Sequence, residues 1–321
     1  MVRRVKKVEY NKPWIYQRAD PYILKHQDGQ YYFTASVPEY DRIILRRSKT
    51  LTGLSEAEEK MIWIKHKSGP MSKHIWAPEL HYIQGKWYIY FAGGSQEDEW
   101  AIRPYVLECQ GEDPFVDTWI EKGMMQAATD DVFSFKAFSL DGTVFESKGK
   151  YYFVWAEKVS VGPQISNLYI AEMESPYKLK TKQVLLTTPD YEWERVGFWV
   201  NEGPGVLKHE GKIFITFSAS DTSSAYCIGL LTVSESDDLL DPHSWKKDRY
   251  PVVKTNEEKE VFGPGHSCFT LSDEEKILMV YHARTKKEIV GNPLYEPNRH
   301  AMLMPIEWNE DGSPKFCSEV E

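Results

Sequence analysis

Five residues with chemically useful side chains stand at matched places along the chain: Asp20, Trp76, Asp141, Glu202 and His266. Each lies eight or nine residues ahead of a turn that opens an aromatic-rich segment. The segments are Gly29-Gln-Tyr-Tyr-Phe-Thr-Ala-Ser36, Gly85-Lys-Trp-Tyr-Ile-Tyr-Phe-Ala92 and Gly149-Lys-Tyr-Tyr-Phe-Val-Trp-Ala156. A fourth is Gly211-Lys-Ile-Phe-Ile-Thr-Phe-Ser218, and a fifth, degenerate copy is Glu275-Lys-Ile-Leu-Met-Val-Tyr-His282. Buried like charges repel and are costly to desolvate, so stability alone does not place three carboxylates at equivalent positions. Close carboxylates around a sugar-sized pocket fit the hydrolysis of a glycosidic bond. One must carry a proton for the leaving oxygen, and another must be ionised to take a proton from water or to attack. A third nearby raises the proton affinity of the acid by like-charge repulsion. Trp76 offers a platform for a sugar face, and Phe33, from the first repeated segment, completes the wall.

The repeat also dictates the elements that must hold these groups. Its copies start 56, 64, 62 and 64 residues apart. Each is rich in aromatic and β-branched residues and follows a turn signal, which predicts a strand. Five copies spaced by about 60 residues suit five blades of roughly four strands. One such unit cannot bury both of its faces alone, so the blades pack around an axis. The fold expected is all-β, a five-bladed β-propeller with a central active-site channel. A two-sheet sandwich of the same strands is the structural alternative. The best short helical candidate is Ser55–Lys60. No linker-like tract breaks the composition, so residues 1–321 read as a single catalytic domain.

Composition narrows the function classes. There are 39 Lys and Arg against 48 Asp and Glu, a net charge of −9, which disfavours nucleic acid or an anionic membrane as the main partner. The basic runs Lys246–Arg249 and Lys286–Lys287 are short and read as solvated surface. Aromatics reach 14%, which suits many short strands and surfaces that stack on sugars. Cys109, Cys227, Cys268 and Cys317 are far apart and read as buried thiols. The basic residues Arg3, Arg4, Lys6 and Lys7 precede no apolar run, which is not the pattern of a secretory signal. The chain as written reads as soluble and cytoplasmic, or as extracellular with a leader removed. No stretch approaches the length of a membrane helix. The histidines at 66, 74, 81, 266, 282 and 300 are scattered, without the ligand spacing of a mononuclear metal hydrolase.

The ordered set of short motifs resembles glycoside hydrolase family 43. It comprises Ala19-Asp-Pro21, Ile75-Trp-Ala-Pro-Glu79, Ser139-Leu-Asp-Gly-Thr143, Asn201-Glu-Gly-Pro204, Gly265-His266, His282-Ala-Arg284 and the tail Arg299-His-Ala-Met-Leu-Met-Pro-Ile-Glu-Trp308. The resemblance spans essentially the whole chain. It implies a five-bladed propeller acting on arabinose- and xylose-containing glycans, with Asp20 as general base, Glu202 as general acid and Asp141 tuning and orienting Glu202. The family inverts configuration, which implies carboxyls of base and acid roughly 6.5–9.5 Å apart, with room for a water. Arg284 corresponds to an arginine contacting the sugar at the scissile bond. His266 corresponds to the axial histidine that in many members faces a hydrated calcium or other ion, often through water. No cofactor is required by this reading beyond such a structural ion.

Within the family, Tyr32-Phe-Thr-Ala-Ser-Val-Pro-Glu-Tyr-Asp41 and Ser72-Lys-His-Ile-Trp-Ala-Pro-Glu-Leu-His81 look most like exo-acting α-L-arabinofuranosidases. The expected substrates are oligosaccharides from arabinan or arabinoxylan. A β-xylosidase of the same fold is the closest rival, followed by an endo-arabinanase and a non-catalytic glycan-binding propeller. Bulky residues in loops, Tyr40, Trp100, Tyr105, Trp193, Phe198 and Trp199, are candidate pocket walls. The acidic tract Gly94–Trp100 reads as an exposed loop.

Overall fold

The computed structural model describes residues 9–158 and 165–317. The basic residues Arg3, Arg4, Lys6 and Lys7 therefore lie outside the described residues. Among the described residues, twenty-one strands form five antiparallel meanders. The first comprises β1 (Ala19–Lys25), β2 (Tyr31–Ser36), β3 (Arg42–Ser48) and β4 (Glu59–Ile64). The second comprises β5 (Pro70–Ile83), β6 (Lys86–Ser95), β7 (Arg103–Cys109) and β8 (Trp119–Met124). The third has β9 (Ser139–Ser147), β10 (Lys150–Lys158) and β11 (Ile165–Ser175), with β12 (Lys178–Leu179) and β13 (Val184–Thr187) both pairing with β11. The fourth is β14 (Trp199–His209), β15 (Lys212–Ala219), β16 (Cys227–Ser234) and β17 (Lys246–Lys247). The fifth is β18 (Phe262–Leu271), β19 (Ile277–Arg284), β20 (His300–Trp308) and β21 (Pro314–Phe316). The third and fourth meanders join through two parallel pairs, Ile165 with Trp199 and Ser166 with Val200.

The first strands of the five units touch in a closed ring, β1 to β5, β5 to β9, β9 to β14, β14 to β18 and β18 back to β1. This is a five-bladed β-propeller. The ring is fastened where the segment ahead of β1 meets the last blade: Asn11 N–H donates to Leu303 O at 2.9 Å, and Ile15 bridges to Ala301. No helix among the described residues is long and apolar enough to cross a membrane.

The aromatic repeats become the second strand of each blade, and their alternation explains their composition. Successive side chains point to opposite faces, and both faces are buried against neighbouring blades. In β2, Tyr31, Phe33 and Ala35 pack towards the fifth blade with Cys268, Val280 and Leu303. Tyr32 packs the other way, with Leu80, Ile89 and Phe91 of the second blade. Similar cores lie between the second and third blades around Phe153 and Trp155, and between the fourth and fifth around Phe214 and Tyr281. The hairpin ahead of each second strand needs a left-handed residue, filled by Gly29, Gly85, Gly149 and Gly211. In the degenerate fifth copy Glu275 takes that conformation with φ 60°.

Three expectations need correction. Phe33 has no exposed surface, so it fills an inter-blade core and contributes nothing to a pocket wall. Tyr105 is likewise core, packed against Phe91. Ser55–Lys60 is not helical: a short 3₁₀ turn ends at Ser55 and β4 begins at Glu59. There the Glu59 carboxylate binds Arg18 and Arg46, long-range partners that local helix propensity cannot register. The four cysteines are free and buried, as their spacing indicated.

Replacing Phe33 with alanine should destabilise the protein by about 3–5 kcal/mol, since it empties a core site without removing any sugar contact. Chemical denaturation measures the loss, and KM of the folded variant should stay at the wild-type value.

Candidate active site

Every first strand carries the same irregularity. In β1, Ala19 pairs with Ser36 and Tyr22 with Thr34, so one residue of β1 is extra. The same skip separates Trp76 from Glu79, Leu140 from Thr143, Glu202 from Gly205 and Gly265 from Cys268. The extra residue begins a β-bulge. It is Asp20, Ala77, Asp141, Gly203 or His266, with φ of 51°, 46°, 54°, 56° and 45° respectively. Left-handed backbone costs about 1–2 kcal/mol for a residue with a Cβ. The five sequence positions are therefore equivalent only in part: Asp20, Asp141 and His266 are bulge residues, whereas Trp76 and Glu202 stand one place earlier.

A bulge releases its N–H from the strand ladder, and a buried N–H needs an acceptor. In four blades the acceptor belongs to the preceding blade. Asp20 N–H donates to His282 Nδ1 at 3.1 Å, and Ala77 N–H to Ser36 Oγ at 2.8 Å. Gly203 N–H donates to Asp141 Oδ2 at 3.0 Å, and His266 N–H to Ser218 Oγ at 2.7 Å. Ser36, Ser218 and His282 are the final residues of their repeated segments. These cross-blade bonds turn the bulge side chains together.

Two bulge carboxyls meet around the imidazole of a third bulge residue. His266 Nδ1 lies 3.6 Å from Asp20 Oδ1 and 3.7 Å from Asp141 Oδ2. Asp20 Oδ2 accepts from Ser36 Oγ at 2.6 Å, while Oδ1 faces His282 Nδ1 at 3.3 Å and Arg299 Nη1 at 3.9 Å. Burial opposes ionisation of Asp20, but its neighbours, His266 and Arg299 among them, outweigh it and hold the carboxyl well below the usual range. Burial also pushes His282 down to about 4, so its ring is neutral at neutral pH. That agrees with Nδ1 accepting the Asp20 N–H.

Glu202 and Asp141 have the opposite fate. Burial and the Asp20 charge push Glu202 up to about 7, against the opposing influence of Tyr226 and Arg299. Burial raises Asp141 well above the ordinary carboxylate range, helped by repulsion from Glu202, Asp20 and Glu79. The pair cannot be doubly ionised at neutral pH. Asp141 is enclosed, with Oδ2 occupied by Gly203 N–H, whereas Glu202 is only half-buried. The proton accessible to a ligand is the one on Glu202.

Several expected neighbours lie elsewhere. Arg284 does not face the carboxylate cluster. It is buried, paired with Glu296, and donates to Thr222 O and Pro293 O, each at 3.3 Å. It anchors the 285–299 connection instead. The cation beside Asp20 is Arg299, which also donates to Tyr40 Oη at 2.6 Å. Trp76 is stacked on His74 with centroids 4.6 Å apart, so that ring face is not available to a sugar. Its indole N–H is buried without a protein partner. Tyr40 meets the edge of Trp76 and donates to Leu294 O at 2.5 Å, and His74 Nε2 lies 3.1 Å from Tyr295 Oη. The 285–299 connection thus reaches from the fifth blade to the second. Trp100, Phe198 and Trp199 are exposed, whereas Trp193 packs on Phe217, and the acidic tract ahead of Trp100 is largely exposed.

The sequence reading missed Ser36, Tyr226, His282 and Arg299. Ser36 and His282 were recoverable, because both end repeated segments. As for an axial ion, His266 offers one imidazole nitrogen to two carboxylates, and among the described residues no group of three or more His, Cys, Asp or Glu is placed to hold a metal. These residues do not fit a directly bound ion.

Known proteins resemble this chain over most of its length. The profile for "Glycosyl hydrolases family 43" matches residues 10–314. An extracellular exo-α-(1→5)-L-arabinofuranosidase of Streptomyces avermitilis is 49% identical over 96% of this chain and 63% of its own length. An enzyme of the same name from Streptomyces chartreusis is 50% identical over 88% of this chain and 85% of its own. The crystal structure of an α-L-arabinofuranosidase from Lactobacillus brevis is 50% identical, with TM-score 0.89 and 95% of both chains covered. The chain thus spans 63% of the length of the S. avermitilis relative.

Gly203 permits both the left-handed bulge and the approach of His266: a Cβ there would come within 3.0 Å of His266 Nδ1. Gly203→Ala should lower kcat by on the order of tenfold or more by displacing the imidazole between the two aspartates. Steady-state kinetics on the purified, folded variant check this.

Proposed function

The chain belongs to glycosyl hydrolase family 43, and from that premise we propose that it is an inverting, exo-acting α-L-arabinofuranosidase. The observation carrying this reading is the unequal surroundings of two carboxyls in one cluster: Asp20 accepts from Ser36 and lies beside Arg299, which favours its ionised form, whereas Glu202 meets the Tyr226 phenol and is pushed by burial towards its protonated form. The names of the relatives supply the sugar. The proposed substrates are oligosaccharides from arabinan or arabinoxylan carrying terminal α-L-arabinofuranose. The 285–299 connection, pinned to Arg284, Tyr40 and His74, supports a site closed on one side, which suits removal of a terminal unit. A location outside the cell, where such polymers lie, is supported by the names of the two Streptomyces relatives.

In the proposed reaction Glu202 gives its proton to the glycosidic oxygen as the bond from that oxygen to the anomeric carbon breaks. Water attacks the same carbon from the opposite face and loses a proton to Asp20, so the released sugar has inverted configuration. The two residues reset by exchanging protons with solvent. Asp141 binds the N–H of Gly203, next to Glu202, and so holds the strand that carries the acid. The Arg299 guanidinium favours the ionised base.

Aryl α-L-arabinofuranoside and α-1,5-linked arabino-oligosaccharides should both be cleaved, with arabinose as the first and main product. Brisk cleavage of aryl β-xyloside with neither arabinoside turned over would contradict the sugar assignment. Asp20→Asn should abolish turnover. Glu202→Ala should cost about 10²–10⁴-fold on poor leaving groups and less on activated ones. Glu202 must be protonated to act, so kcat/KM should fall as pH rises through about 7. The base, held low, should remain ionised through the mildly acidic range.

A further inference from the structure

Tyr226, the last residue before β16, is buried and was not singled out by any motif. Its ring occupies space that Gly265 of β18 leaves open, and Gly263 makes room for the turn just ahead of it. A Cβ on Gly265 would come within 2.0 Å of the ring, and one on Gly263 would strike Ser223 O at 2.2 Å. The ring lies parallel to His282, with centroids 5.8 Å apart and 9° between planes. Its hydroxyl donates to Glu202 Oε1 at 2.7 Å.

A carboxylic acid has one O–H. When a phenol donates to one oxygen, that oxygen serves as the acceptor and the acid's own proton resides on the other. We propose that Tyr226 is a positioning residue for the general acid: by donating to Glu202 Oε1 it places the transferable proton on Oε2, the oxygen left free for the leaving group. This rests on Glu202 being the acid. As that proton passes from Oε2 to the glycosidic oxygen, Glu202 becomes a carboxylate and the Tyr226 bond becomes charge-assisted, hence stronger. The bond therefore stabilises the transition state more than the ground state, which raises kcat.

The same bond restrains the proton affinity of Glu202. Burial pushes that carboxyl up and Tyr226 pulls it down. The other charged or titratable groups around Glu202 are Asp20 on β1, Asp141 on β9 and Arg299 ahead of β20, with His266 on β18 reaching it through Asp141. None of these is altered when only the phenol oxygen is removed. Burial and the two carboxyls keep the phenol itself well above its ordinary range, so it stays a donor at every working pH.

The test is the pH dependence of kcat/KM on a series of aryl α-L-arabinofuranosides for Tyr226→Phe, which keeps the ring. The alkaline limb should move up by about one pH unit, the effect of losing a hydrogen bond to the ionised form. At the optimum, kcat should fall about tenfold on poor leaving groups and less on activated ones, with KM nearly constant. Site-specific 3-fluorotyrosine at position 226, a stronger donor, should move the limb down. It decides the matter even if Tyr226→Phe does not fold. An alkaline limb unmoved in the fluorinated enzyme, or a uniform loss of rate without a shift in Tyr226→Phe, overturns the proposal. Glu202→Ala in the same assay separates the two levels. If Glu202→Ala keeps the limb and the rate, the acid assignment fails. If it loses both while the Tyr226 variants leave the limb in place, only the role of Tyr226 fails.

Discussion

The constraint on which the site depends is the extra residue in each first strand. A regular ladder would alternate its side chains between two inter-blade cores and send none of them to the axis. One left-handed residue per blade breaks that alternation, and the N–H it releases needs a partner inside the protein. The preceding blade supplies that partner in four of the five cases, through Ser36, Asp141, Ser218 and His282. In those four cases one blade fixes the conformation of the next. The bulge that aims Asp20 is secured by the fifth blade, so closure of the ring and alignment of the base are the same event.

The second consequence is electrostatic. Asp20, Asp141 and Glu202 belong to one cluster, yet their surroundings differ in what accompanies burial. Asp20 receives a hydroxyl donor and faces two imidazoles and a guanidinium. Asp141 receives one backbone N–H and Glu202 one phenol, and both feel the charge of Asp20. Desolvation alone would raise all three; the Ser36 hydroxyl and the Arg299 guanidinium help decide that Asp20 is the one that stays ionised. Arg299 acts on both sides, favouring ionisation of Asp20 more directly than that of Glu202, because only Asp20 lies within ion-pair distance of it.

Much of this was legible in the sequence, because a propeller repeats its local chemistry. The spacing of the aromatic segments gave the number of blades, and counting back from them reached Asp20, Asp141 and His266. The count slipped by one at Trp76 and Glu202, where the hairpins differ by a residue and the bulge itself falls on Ala77 and Gly203. Residue type alone misled at Phe33: its segment alternates between two buried faces, and an aromatic on either face is core. Arg284 and Arg299 illustrate a different limit. Both are arginines at the ends of strands flanking one connection, and which of them meets Asp20 is set by Glu296, a loop residue that claims the Arg284 guanidinium. Tyr226 had no motif because its place is defined from across the fold, by the space above Gly265. Relations of that kind are three-dimensional and leave little periodic trace.

The most direct test of the central claim is a carbon-13 NMR titration of the side-chain carboxyls, comparing wild type with Glu202→Gln to assign the Glu202 signal. The account predicts that Glu202 changes state near pH 7, while Asp20 remains ionised down to the acid limit of the folded protein. A Glu202 carboxyl already ionised at about pH 5, near the ordinary range for glutamate, would contradict it.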